Sequence, residues 1–214
     1  MENMRKQEIF DTAKRLFYEK GYTGTNLKDI AEELGITKQA ISHYYPRKDM
    51  LADRVYESIS LHFLDVFVKK GEKLGYEARI ADAASSMWID RYYLEDENAR
   101  RFFNEFVYHS LGDYSSFEYE AKRHFSGGQK YLGDMTEEMF MAKYVASRYA
   151  AKGLLYHFVN GDISMNQSTF EEYYLRLCFE PFVVREEELA SITRDAREML
   201  EKTEIKIDKY FVIR

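Results

Sequence analysis

The chain has 214 residues, of which 45% are hydrophobic and 32% charged, with a net charge of −6 and a single cysteine, Cys178. That length and balance fit one large globular domain or two smaller ones with a sizeable core, and the apolar runs fall well short of the roughly 18 residues needed to span a bilayer. One cysteine excludes an intramolecular disulfide framework and a cysteine zinc site; residues 1–20 lack the apolar core of a secretion signal, so a reducing cytoplasm is the expected location.

The acid is unevenly placed. Residues 1–51 carry nine Lys and Arg against eight Asp and Glu, so the excess negative charge lies in the remainder. A local basic face, not the total, decides nucleic-acid binding. Only two prolines, Pro46 and Pro181, interrupt the chain, which predicts long helices. The 18 Tyr and 15 Phe fall mostly after residue 50.

Ile9, Ala13, Leu16 and Phe17 recur at spacings of three and four, predicting a first helix over 5–20 that Gly21 stops. Asn26 is placed to cap a second helix over 27–34, with Asp29 as its reciprocal acid. Gly35 ends that helix and Thr37 caps a short third helix over 38–44. After Pro46 a fourth helix runs over about 48–73. Further helices are expected over 77–94, 97–111, 114–124, 136–159 and 167–184, with Asn160-Gly161 closing the long one. A last helix starts at Glu186, its first turn acidic through Glu186, Glu187 and Glu188. The tail Ile205-Lys206-Ile207 alternates and is compatible with an extended segment.

A helix, a turn containing glycine and a second short helix form the helix-turn-helix pattern, here residues 27–44 with Gly35 in the turn. The exposed face of the third helix offers Lys38, Gln39, Ser42 and His43, hydrogen-bonding groups suited to base edges. Thr25, Lys28, Tyr44 and Lys48 flank the unit within reach of phosphates, contacts that position a protein but carry little sequence information. A hairpin that only packs has no need of this polar set.

The ordered string Thr25-Asn26-Leu27-Lys28-Asp29-Ile30-Ala31-Glu32-Glu33-Leu34-Gly35-Ile36-Thr37-Lys38, followed by Tyr44-Tyr45-Pro46-Arg47-Lys48-Asp49-Met50-Leu51, resembles the N-terminal domain of the tetracycline-repressor (TetR) family. The resemblance covers about residues 5–52. It implies an all-α protein with a three-helix DNA-binding domain (1–50). The fourth helix would join it to a C-terminal helical domain (51–214) that dimerises and often holds a small effector. It also implies a homodimer on palindromic double-stranded DNA, a recognition helix that starts at Thr37, Lys38 and Gln39, and phosphate contacts from Thr25, Lys28 and Lys48. One departure stands out. Ser42 occupies a position where the family commonly has an aromatic, with His43 and Tyr44 where Tyr and His are usual.

In the C-terminal part, Trp88, Arg91, Tyr92, Phe103, Phe106, His109, Tyr119, Tyr144 and Arg148 are the candidate effector contacts, aromatic walls with a few polar anchors. The alternative is plain core packing for the aromatics and exposed salt bridges for the two arginines. Ala151, Leu155, Phe158, Tyr173, Tyr174, Leu177 and Phe182 are the expected dimer face, with small residues Ala146, Ala150 and Gly153 allowing close approach. No metal spacing among the five histidines, no phosphate loop and no catalytic constellation is found, so neither an enzyme nor a cofactor is expected. The function that follows is a transcriptional regulator, a repressor released by an unknown small molecule. The alternatives are a regulator without a small ligand or under a protein partner, and an all-α enzyme or scaffold with a vestigial hairpin.

Overall fold

The computed structural model describes residues 2–110, 118, 121–122, 124–126, 132–182 and 185–214, with the side chains of 2–3 and 107–110 outside that description. The described residues are helical almost throughout and divide into two compact units. The first comprises Met1–Phe63, Tyr93–Ser110 and Lys206–Arg214, and the second Leu64–Tyr92 and Leu111–Ile205. Two helices carry residues of both units, α4 (Lys48–Leu74) and α5 (Ala78–Glu95).

In the first unit α1 (Glu2–Lys20) buries Ile9, Ala13, Leu16 and Phe17, the stripe its periodicity predicts. The helix α2 (Leu27–Leu34) opens with a full capping box. Asn26 Oδ1 accepts from Lys28 and Asp29 amides at 3.0 and 3.3 Å, and Asp29 accepts the Asn26 amide at 2.8 Å. Gly35 ends it in the left-handed region at φ 62°, a conformation L side chains resist. Helix α3 (Lys38–Tyr44) is capped by Thr37, whose hydroxyl accepts the Ala40 amide at 3.2 Å. Against these lies α6 (Glu97–Ser110), which stacks Phe102 on Phe106 with ring centroids 5.5 Å apart and brings Phe102 to 5.4 Å from Phe17.

The tail resolves as a short antiparallel hairpin, β1 (Ile207–Asp208) with β2 (Val212–Ile213), paired Ile207 to Ile213 and Asp208 to Val212.

The second unit contains α7 (Glu137–Val159), capped by Thr136, then α8 (Gln167–Phe179) and α9 (Glu186–Glu201). Phe158 of α7 lies flat on Phe170 of α8 at 4.0 Å, sealing that helix pair. The single helix expected over 167–184 stops at Phe179 and gives way to a 3-10 turn, Glu180–Phe182. Pro181 is the reason, since it has no N–H to continue the helical ladder. Residues 118, 121, 122 and 124–126 are helical, within or just past the segment expected over 114–124. The rest of that segment and Gly127-Gly128 lie outside the described residues. Helix α9 lacks a side-chain cap at Arg185 and instead places Glu186, Glu187 and Glu188 in its first turn, where the helix dipole favours anions. No described helix is long and apolar enough to cross a membrane.

Candidate nucleic-acid interface

The turn between α1 and α2 sets the pose of the helix-turn-helix. Thr25 is fully buried there, its hydroxyl donating to the carbonyls of Gly21 at 2.9 Å and Leu16 at 3.1 Å. Its amide meets Tyr22 O at 3.3 Å. Both donors are spent on the turn, so Thr25 locks the entry to α2 from inside and presents no hydroxyl to solvent.

Lys48, at the start of α4, acts on the same turn. Its ammonium donates to Tyr22 O and Thr25 O, each at 3.0 Å, and sits over the Tyr22 ring. Burial lowers its pKa, with Glu105 and Asp29 pulling the other way. These bonds use two of its three N–H groups.

Two residues of α6 hold the turn from the other side. Glu105 accepts the Thr23 amide at 2.7 Å. Arg101 donates to Tyr18 O and Glu19 O at 3.1 and 2.7 Å, satisfying carbonyls that the end of α1 leaves open. Sequence reasoning missed both residues. They stand about eighty positions from their partners, and no local pattern marks a long-range cap.

On α3 the burial alternates as reading helices require. Ile41 is fully buried, while Thr37, Lys38, Gln39 and His43 are exposed and Ser42 and Tyr44 are half-buried. His43 and Tyr44 meet edge to face at 5.1 Å. Lys28 on α2 is exposed and pairs with Glu32 at 3.3 Å, an open surface pair that contributes little to stability. The structure therefore presents Lys28, Thr37, Lys38, Gln39 and His43 to solvent, with Ser42 and Tyr44 at the edge.

The candidate effector residues are divided between the two units. Phe103 and Phe106 belong to the first unit, where Phe103 stacks on Tyr93 at 4.6 Å and Phe106 lies 5.8 Å from Tyr22. Trp88, Arg91, Tyr92, Tyr144 and Arg148 belong to the second. There Trp88 lies between Phe67 and Tyr92 at 5.9 and 6.3 Å. Arg148 covers the Tyr144 ring at 4.9 Å and approaches Cys178 Sγ at 3.8 Å. Burial pushes the Cys178 thiol pKa up, as for an unreactive core cysteine. The side chain of His109 and all of Tyr119 lie outside the described residues.

Arg91 pairs with the buried Glu171 at 3.0 Å, and Arg197 approaches the other carboxylate oxygen at 3.8 Å. Beside this pair stands Asp90, which sequence reading did not single out. It is fully buried on α5, and neither of its oxygens completes a hydrogen bond. Burial pushes its pKa up to about 6; the nearby Arg91 backbone amide offsets part of that, Glu171 adds to the rise, and the Arg91 charge and the Asp90 amide offset a little more.

Of the residues expected at a dimer face, Ala151, Leu155 and Tyr174 are buried within the chain itself, and Phe182 packs 5.6 Å from Phe140. Phe158 and Leu177 are half-buried. Tyr173 stands 58% exposed. What α7 leaves open is a row of small groups, Ala142, Ala146, Ala150 and Gly153, with Met139 at its start.

This geometry has relatives. Residues 9–55 match the family of bacterial regulatory proteins called the tetR family. Over 64 residues the chain is 34% identical to IcaR of Staphylococcus epidermidis, the negative transcriptional regulator of the biofilm operon icaADBC. That match takes in 30% of this chain and 35% of IcaR. Over 49 residues it is 39% identical to AcnR, a transcriptional repressor of Corynebacterium diphtheriae, covering 23% of this chain and 26% of AcnR. The chain thus spans about a third of the length of the first of these relatives and a quarter of the second. The crystal structure of RolR without ligand shares the fold over 89% of this chain and 96% of its own, with a TM-score of 0.50 and 16% identity. Residues 9–55 thus resemble the matching part of the tetR family of bacterial regulatory proteins, and IcaR and AcnR are both transcriptional regulators.

Proposed function

We propose that the protein is a sequence-specific DNA-binding regulator of transcription, acting in the cytoplasm as a homodimer on a palindromic operator. The observation that carries this reading is the divided chemistry of α3: a fully buried Ile41 anchors the helix while Lys38, Gln39 and His43 stand in solvent. Side chains of this kind, held on a rigid short helix, suit base edges in the major groove. Lys28, Tyr44 and Lys48 flank them for phosphate contact, and Thr25 supports the turn from within.

Two copies would place their recognition helices roughly 34–36 Å apart, one helical turn of DNA. The small-residue face of α7 with Tyr173 of α8 supports pairing through those helices, since small side chains let backbones approach closely. Control by a small molecule follows if a ligand binds the second unit better in a form whose recognition helices are wrongly spaced. Trp88, Arg91, Tyr92, Tyr144 and Arg148 are its candidate contacts there, and Phe103 and Phe106 are assigned instead to the core of the DNA-reading unit. Repression is the mode that the family relatives support.

The test is fluorescence anisotropy of the purified chain on DNA from upstream of its own gene, against scrambled DNA, across a salt series. Preferential and steeply salt-dependent binding supports the reading. Equal weak binding to both DNAs would move the weight to a regulator under a protein partner.

A further inference from the structure

The last nine residues do something the DNA-binding fold does not require. A hairpin of two ladder pairs, closed by reciprocal backbone bonds between Lys206 and Arg214 at 2.8 and 2.9 Å, is marginal by itself in water. Its turn is also unfavourable, with Tyr210 and Phe211 both in the left-handed region at φ 63° and 60°, where side chains crowd the backbone. It persists because of what it is fastened to. Phe211 is fully buried, its ring edge-on to Tyr18 of α1 at 5.1 Å and tilted against Phe102 of α6 at 5.2 Å. The Tyr210 hydroxyl donates to Glu19 at 3.2 Å. His62 of α4 puts Nε2 3.1 Å from the Ile213 amide and 3.0 Å from its carbonyl.

These contacts meet the supports of the DNA-reading turn. Tyr18 donates to Asp96 at 3.1 Å, and Asp96 caps α6 by accepting the Ala99 amide at 3.0 Å. From the same helix Arg101 and Glu105 hold the end of α1 and the turn before α2.

The other end of the segment is short. Helix α9 of the second unit ends at Glu201, and the hairpin segment of the first begins at Lys206. The residues between reach at most about 14 Å when fully extended, and they are tied down. Thr203 donates its hydroxyl to Met199 O at 2.7 Å, and Lys70 donates to Glu204 O at 2.9 Å.

We propose that residues 206–214 are a strap that fastens the end of α9 to α1 and α6, so that a change in the seating of α9 is felt at the helix-turn-helix. This rests on the regulator reading above and adds to it a second route of control beside α4. Glu204 is held by Lys70 and Lys206 is bonded within the hairpin, so Ile205 alone separates the two ties, and the anchor of the strap is the aromatic pair Tyr18 and Phe211.

Hydrogen exchange of the whole chain tests it without DNA or effector. Phe211→Ala should speed exchange across 12–19 and 99–106 by about tenfold, within the usual range of coupling between sites. Ala196→Gly loosens α9 from its middle. It should speed exchange in α9 and also in α1. With eight Gly and Ser residues inserted after Ile205, the same substitution should speed exchange in α9 alone. The strap is overturned if Phe211→Ala leaves α1 unchanged, or if α1 responds to Ala196→Gly equally with and without the insertion. Anisotropy on the upstream DNA runs beside it. A chain that binds no DNA preferentially loses the regulator reading, while the exchange result still decides the strap.

Discussion

The ammonium of Lys48 lies 3.9 Å from the centre of the Tyr22 ring and donates to the Tyr22 carbonyl at 3.0 Å. A residue expected only at the phosphate backbone is therefore also the clamp of the turn that aims α2. The two roles separate by measurement. Lys48→Ala removes two charge-assisted bonds and a cation–π contact from a half-buried site, so unfolding stability should drop by about 2 kcal/mol. Affinity should fall equally for all DNA sequences. If the third N–H reaches a phosphate, the salt slope should shrink by about one. A stability loss with an unchanged slope would make Lys48 a clamp alone.

Gly21 is the hinge of that same turn, at φ 77°, and a Cβ there would stand 2.5 Å from Glu105 Oε2. Gly21→Ala should cost about 2 kcal/mol, of which the left-handed backbone accounts for 1–2. Glu105→Ala should recover the steric part in the double variant but not the backbone part. Denaturant midpoints of the four chains check this, and simple additivity of the two losses would show that the two residues do not meet.

The helix-turn-helix was legible because it is local. Asn26 with Asp29, Gly35 and Thr37 act on neighbours within four residues, and each sits in the structure as its spacing predicts. Periodicity also gave the buried stripe of α1. It tells which side of a helix is buried, not what covers it. Thr25, expected within reach of phosphates, accordingly has its hydroxyl buried in the turn. Arg101, Glu105 and Asp90 went unremarked because their partners or surroundings lie on other helices. The tail was readable as alternating, yet its docking site on Tyr18, Phe102 and His62 left no trace in its own residues.

Exposed groups on α2 and α3 should divide by role. Gln39→Ala is expected to change which base is preferred at one position of each half-site, by about 1–3 kcal/mol of discrimination, with little change in salt slope. Lys28→Ala should weaken binding to specific and scrambled DNA alike. Binding measured against a set of single-base operator variants distinguishes them. The same uniform loss in both variants would end the division of this surface into reading and positioning residues.

Asp90 makes stability depend on pH in an unusual direction. Its carboxyl is raised from an ordinary 3.8 to about 6 in the folded chain. Below about pH 3 it is protonated in both states and contributes no penalty. As pH rises further, the unfolded chain ionises there first, so the unfolded state gains and the fold weakens. The loss is complete once pH passes the folded value near 6, and amounts to on the order of 3 kcal/mol. Asp90→Asn cannot ionise and should be free of this loss. Every other carboxylate is common to both chains, so the difference in unfolding free energy isolates Asp90. An asparagine amide that finds no acceptor shifts that difference by a constant, not by a slope. Urea midpoints at pH 4, 5, 6 and 7.5 should therefore show the variant gaining on the parent from pH 4 to 6 and then running parallel. A difference flat across the whole range would mean that Asp90 is already satisfied, and that its burial among Arg91 and Glu171 carries no stored cost.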